Sequence, residues 1–113
     1  MATRPAPELV DRFRTILGRF PQAERRTVFG LPAAFVGGNL ATAIVGRDWI
    51  VRLGPASTRD VIAAGRASSF KPPAGRPMPG FVLVPAADAW DDEAIVEWVG
   101  RALAYAGSLP RKR

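Results

Sequence analysis

The chain has 113 residues, a formal net charge of +6 from 16 basic and 10 acidic residues, and neither Cys nor His. The two absences exclude disulfides, thiolate nucleophiles, Cys-ligated metal centres and every Ser-His or Cys-His catalytic arrangement, and they remove the commonest general base. The length fits one domain, no apolar run approaches the ~18–20 residues of a membrane span, and the first residues lack the apolar stretch of a signal peptide, so a cytoplasmic location is expected.

Pro7 to Phe20 predicts a helix. Leu9, Val10, Phe13, Ile16, Leu17 and Phe20 follow helical spacing and form one apolar stripe. Pro7 suits the first turn, Glu8 complements the helix N-terminus, and Gly18 with Pro21 marks the exit. Strand signals follow. Arg26-Thr27-Val28-Phe29 favours β structure, Gly30-Leu31-Pro32 reads as a bend, and Ala33 to Val36 is the next strand. Gly37-Gly38-Asn39 predicts a hairpin turn. Leu40 to Val45 is expected to place Leu40, Thr42 and Ile44 on one face. After a turn at Gly46-Arg47-Asp48, Trp49, Val51 and Leu53 share one face and Ile50 and Arg52 the other. Connections this short join antiparallel neighbours.

A short helix is expected from Pro55 to about Ala64, closed by Gly65. Phe70 to Gly80 carries four prolines and two glycines and reads as an irregular loop. Phe81 to Val84 is one more strand, ended by Pro85. The last helix is expected from Asp92 to Ala106, with Asp91 as its N-cap and Ile95, Trp98, Val99, Ala102, Leu103 and Ala106 as its buried stripe. The order α-β-β-β-β-α-β-α predicts an α+β, two-layer sandwich: an antiparallel sheet of about five strands with three helices on one face. The whole chain, 1–113, reads as one domain with a folded core at 7–107 and flexible ends at 1–6 and 108–113.

The charge excess sits at the two ends. Through Arg26 the balance is +3, the tail Arg111-Lys112-Arg113 adds +3, and the body between them is neutral. Arg25, Arg26, Arg111, Lys112 and Arg113 are therefore the candidate phosphate or nucleic-acid contacts. Trp49 and Trp98 lie in phase with buried stripes. Trp90 precedes the last helix, and exposure there would mark a protein interface, because aromatic anchors dominate binding hot spots.

The remaining motifs carry no chemistry. Ser68-Ser69-Phe70-Lys71 is a literal S-x-x-K, but it runs into Pro72-Pro73 and lacks its partner motifs. Asp88, Asp91, Asp92 and Glu93 read as capping residues whose side chains diverge, not as a cation site. No phosphate-cradling glycine loop is present. No catalytic, metal-ligating or cofactor-binding residue is assigned, and no cofactor is expected.

Several short signatures in order resemble the N-terminal domain of the TfoX/Sxy family of bacterial competence regulators. They are Arg25-Arg26-Thr27-Val28-Phe29-Gly30, Phe35-Val36-Gly37-Gly38, Trp49-Ile50-Val51-Arg52-Leu53, the Pro77-Met78-Pro79 segment before Phe81-Val82-Leu83-Val84, and Asp91-Asp92 with the Trp98 helix. The family usually carries a second Gly where this chain has Leu31, and its two-domain members have a C-terminal helical domain with no counterpart here. The resemblance implies a two-layer fold with an antiparallel sheet and supplies no catalytic residue set. The expectation is a non-enzymatic regulatory module that binds another protein, or forms a homodimer, through an exposed sheet face or edge. The alternative is a nucleic-acid-binding accessory protein that uses its Arg-rich termini. No membrane partner is expected.

Overall fold

The computed structural model describes residues 5–72 and 78–112. Helix α1 (Pro7–Leu17) leads into four strands, β1 (Glu24–Val28), β2 (Leu31–Val36), β3 (Asn39–Val45) and β4 (Asp48–Arg52). Helix α2 (Pro55–Ala63), strands β5 (Ser68–Ser69) and β6 (Phe81–Leu83), a four-residue helix α3 (Ala86–Ala89) and the long α4 (Asp92–Ser108) complete the chain. The strands form one antiparallel sheet in the order β1-β2-β3-β4-β6-β5. The α+β class and the antiparallel sheet agree with the sequence reading. Among the described residues, the six strands and four helices exceed the expected five and three by β5 and α3, which are too short to leave a periodic signal.

The helices lie on one face of the sheet. The apolar stripes of α1 (Leu9, Phe13, Ile16, Leu17) and α4 (Ile95, Trp98, Val99, Leu103) meet Ala34, Ile44, Trp49, Val51 and Val82 in the main core. The Phe13 and Trp49 rings lie 5.3 Å apart and tilted. Trp49 is buried, as its phase required. Its indole N–H donates to the Thr42 hydroxyl at 2.9 Å, and that hydroxyl donates to the Ile50 carbonyl at 2.7 Å, so both of these buried polar side chains are partnered. The opposite face carries a second, smaller cluster of Ala33, Ala43, Ile50, Phe70 and Phe81.

Two local expectations change. The first turn is Phe29-Gly30, not Gly30-Leu31-Pro32. Val28 pairs with Leu31 and Thr27 with Pro32, so Pro32 lies inside β2. A two-residue turn makes Val28 and Leu31 a hydrogen-bonded pair, so Thr27 and Pro32 form the next, non-bonded pair and the missing proline N–H faces away from β1. The second change is in β3. Ala34 pairs with Thr42 but Phe35 pairs with Leu40, leaving Ala41 as an extra residue. This bulge breaks the alternation. Ala41 and Ile44 enter the main core, whereas Leu40 joins the opposite cluster, so Leu40, Thr42 and Ile44 do not share a face.

Candidate interaction surface

The acidic run before α4 is used up locally. Asp91 accepts the Ala94 N–H at 2.8 Å as the helix N-cap, and Asp88 accepts the Trp98 indole N–H at 2.8 Å. Asp92 pairs with Arg12 at 2.6 Å and with Arg19 at 3.4 Å. The Arg12 hydrogen bond and charge, with Arg19 beside them, hold the Asp92 carboxyl below its ordinary value of 3.8. These residues diverge, and among the described residues no three acidic side chains converge on one point.

Trp90 ends α3 and is 54 % exposed. The Arg12 guanidinium lies 5.8 Å from its ring centre while the Arg12 Nε–H donates to the Ala89 carbonyl at 3.1 Å. Trp90 thus covers the ion pair that ties α1 to α4. Its exposure is what an anchor would show, and its contact with Arg12 gives it a packing role as well.

The five basic candidates fall in different places. Arg113 lies outside the described residues. Arg111 and Lys112 are exposed, and the tail carrying them lies against the β2–β3 turn. The Lys112 N–H donates to the Gly37 carbonyl at 2.8 Å, and the Asn39 amide donates to the Pro110 carbonyl at 3.0 Å. Gly38 leaves the space: a Cβ there would stand 2.9 Å from the Lys112 backbone oxygen. Helix α4 runs two residues past Ala106 to Ser108 and delivers the tail to this turn. Arg26 pairs with Glu24 and covers the Phe35 ring at 5.0 Å, on the sheet face away from the helices. Arg25 points to the helix side. It pairs with Ala34, three residues before Gly37 on β2, so about 10 Å of strand separates it from the docked tail.

Sequence reasoning missed the residue the structure marks most strongly. Phe29 is 98 % exposed and has φ +50°, the left-handed conformation that disfavours a bulky side chain. Gly30 follows at φ +80°, completing a turn with two positive φ angles, where Asn-Gly is the preferred pair. Phe29 therefore meets an unfavourable backbone and an unfavourable solvent environment together. An X-Gly pair between two β-favouring runs was the available signal. Beneath this hairpin a groove of about 630 Å³ opens between α1 and the first two strands, lined by Val10, Phe13, Arg14, Arg25, Thr27 and Pro32 among others. Neither Arg14 nor Arg25 meets a carboxylate among the described residues.

One family's sequence profile, described as the TfoX N-terminal domain, matches residues 15–106, a span that holds the Phe29-Gly30 hairpin and Trp98. The chain belongs to that family. The TfoX family is associated with the regulation of competence. No curated protein and no solved structure matches the chain. The TfoX match takes in Arg25, Arg26, Phe29 and Trp90, whereas Arg14 and the docked tail lie outside it. Among the described residues of this TfoX domain, no helix is long and apolar enough to cross a membrane.

Proposed function

We propose that this TfoX domain is a non-enzymatic regulatory module that acts in the cytoplasm by binding another protein, and that the β1–β2 hairpin is its contact surface. The carrying observation is Phe29: a large aromatic, 98 % exposed, at a backbone position suited to Asn or Gly. Strain of this kind persists where a contact uses it. The lack of His and Cys supports a binding role over a catalytic one. The test is affinity purification from the native cell extract, followed by a binding titration with the purified partner. Phe29→Asn should fold normally and bind at least about tenfold more weakly, as loss of a hot-spot aromatic does. Unchanged binding by Phe29→Asn, or turnover of a metabolite by the pure chain, would refute the reading.

The nucleic-acid alternative has one observation in its favour: Arg25 and the tail cations lie on neighbouring parts of the sheet. With about three to five phosphate contacts, log K would fall against log salt with a slope of roughly −3 to −4.5. Deleting Arg111, Lys112 and Arg113 would then flatten that slope.

A further inference from the structure

The two edges of the sheet are unequal. The β5 edge is two residues long, and the β1 edge is five. In β1 the alternation set by the two-residue turn points the N–H and C=O groups of Glu24, Arg26 and Val28 toward β2, and those of Arg25 and Thr27 outward. The edge therefore offers backbone donors and acceptors at Arg25 and Thr27 that are unpaired among the described residues, directly above the groove that these two residues line. The groove floor is apolar at Val10, Phe13 and Pro32, and its rim carries Arg14 and Arg25, neither paired to an acid among the described residues.

We propose that an extended acidic segment of a partner protein adds to β1 as a further strand of the sheet. Its backbone meets Arg25 and Thr27, its carboxylates meet Arg14 and Arg25, and an apolar side chain enters the groove. This deepens the protein-binding reading and rests on it. Strand addition takes affinity from main-chain hydrogen bonds and specificity from side-chain pockets, and this edge holds both. Charge selects the occupant. A second copy of this chain would bring two more such arginines to the edge, and the one acid on its β1, Glu24, already holds Arg26. A nucleic acid would use the arginines but not the apolar floor or the outward backbone donors and acceptors.

The experiment titrates the full chain with a short synthetic peptide of alternating Glu and Val, its Lys-for-Glu counterpart and a single-stranded oligothymidylate. Binding is followed by NMR, together with amide exchange at Arg25 and Thr27. The acidic peptide should bind and slow exchange at both amides, and the basic one should not. Thr27→Pro removes an outward donor without touching the β1–β2 ladder, so it should weaken acidic-peptide binding by about tenfold while leaving both arginines in place. Arg14→Glu with Arg25→Glu should reverse the peptide preference, which keeps the proposal testable if the proline variant unfolds. Equal binding of the two peptides, no binding of either, self-association through β1, or oligothymidylate binding indifferent to Thr27→Pro would each overturn strand addition. If the peptides fail while Phe29→Asn still abolishes binding of a purified partner, the hairpin remains an interface and only the acidic strand is refuted.

Discussion

Two arginine-rich regions of this protein have opposite fates. Where α1 crosses the start of α4, Arg12 and Arg19 share Asp92, Asp88 holds the Trp98 indole, and Trp90 covers the ion pair. At the β1–β2 hairpin, Arg14 and Arg25 have no carboxylate partner among the described residues, and the most exposed aromatic of those residues stands in a left-handed turn. Arg12 and Arg14 are two residues apart on one helix, yet one is spent on holding the fold and the other is left outside. The difference teaches that composition alone assigns no role to an arginine. The deciding quantity is whether a carboxylate on another element falls within reach.

The contrast predicts which substitutions the fold will feel. Trp49→Ala removes the ring packed on Phe13 and the partner of the Thr42 hydroxyl, and should cost about 3–5 kcal/mol in chemical denaturation. A loss below about 1 kcal/mol would mean that the core between α1 and the sheet is loosely held. Asp91→Ala removes the α4 N-cap and should cost about 1 kcal/mol. Phe29→Asn should act in the other direction, stabilising the chain by about 0.5–1 kcal/mol, because Asn accepts the left-handed turn and buries nothing less than Phe does there. A destabilised Phe29→Asn would show that the ring packs on the domain itself and would erase the contrast. Arg25→Gln should change the melting midpoint by no more than about 0.5 kcal/mol equivalent, as an exposed, unpaired side chain does.

The pH dependence gives the smallest effect. Asp92 has its folded-state pKa lowered, chiefly by the Arg12 hydrogen bond. Its contribution to stability is therefore complete above the ordinary value of 3.8 and is lost as pH falls through the lower folded-state value. Asp92→Asn should flatten the acid limb of the stability profile in that window. An unchanged acid limb would show that the α1–α4 corner does not depend on this charge.

Much of the fold was legible in the chain order. The stripes of α1 and α4, the turn at Gly37-Gly38 and the alternation of Trp49, Ile50, Val51, Arg52 and Leu53 are local patterns, and local patterns survive folding when a whole face is buried. The bulge at Ala41 was not legible, because a residue is extra only relative to the partner strand it fails to match. The surface was less visible still. Arg25 and Arg26 are adjacent in sequence, but the pleat sends one to the helix side of the sheet and the other onto Phe35. Arg14 stood out from no neighbour until the fold set α1 across the groove from β1.

The sequence by itself determined the class of fold, the family and the exclusion of thiol and imidazole chemistry, because periodicity, short signatures and missing residue types need no partner to be read. Only the tertiary structure decided that Phe29 is a turn residue facing solvent, that Asp92 rather than a ligand takes Arg12, and that among the described residues β1 is a sheet edge above a basic groove. Each of these depends on what a distant segment brings within a few ångströms, and pairing across the chain is a property of the folded shape.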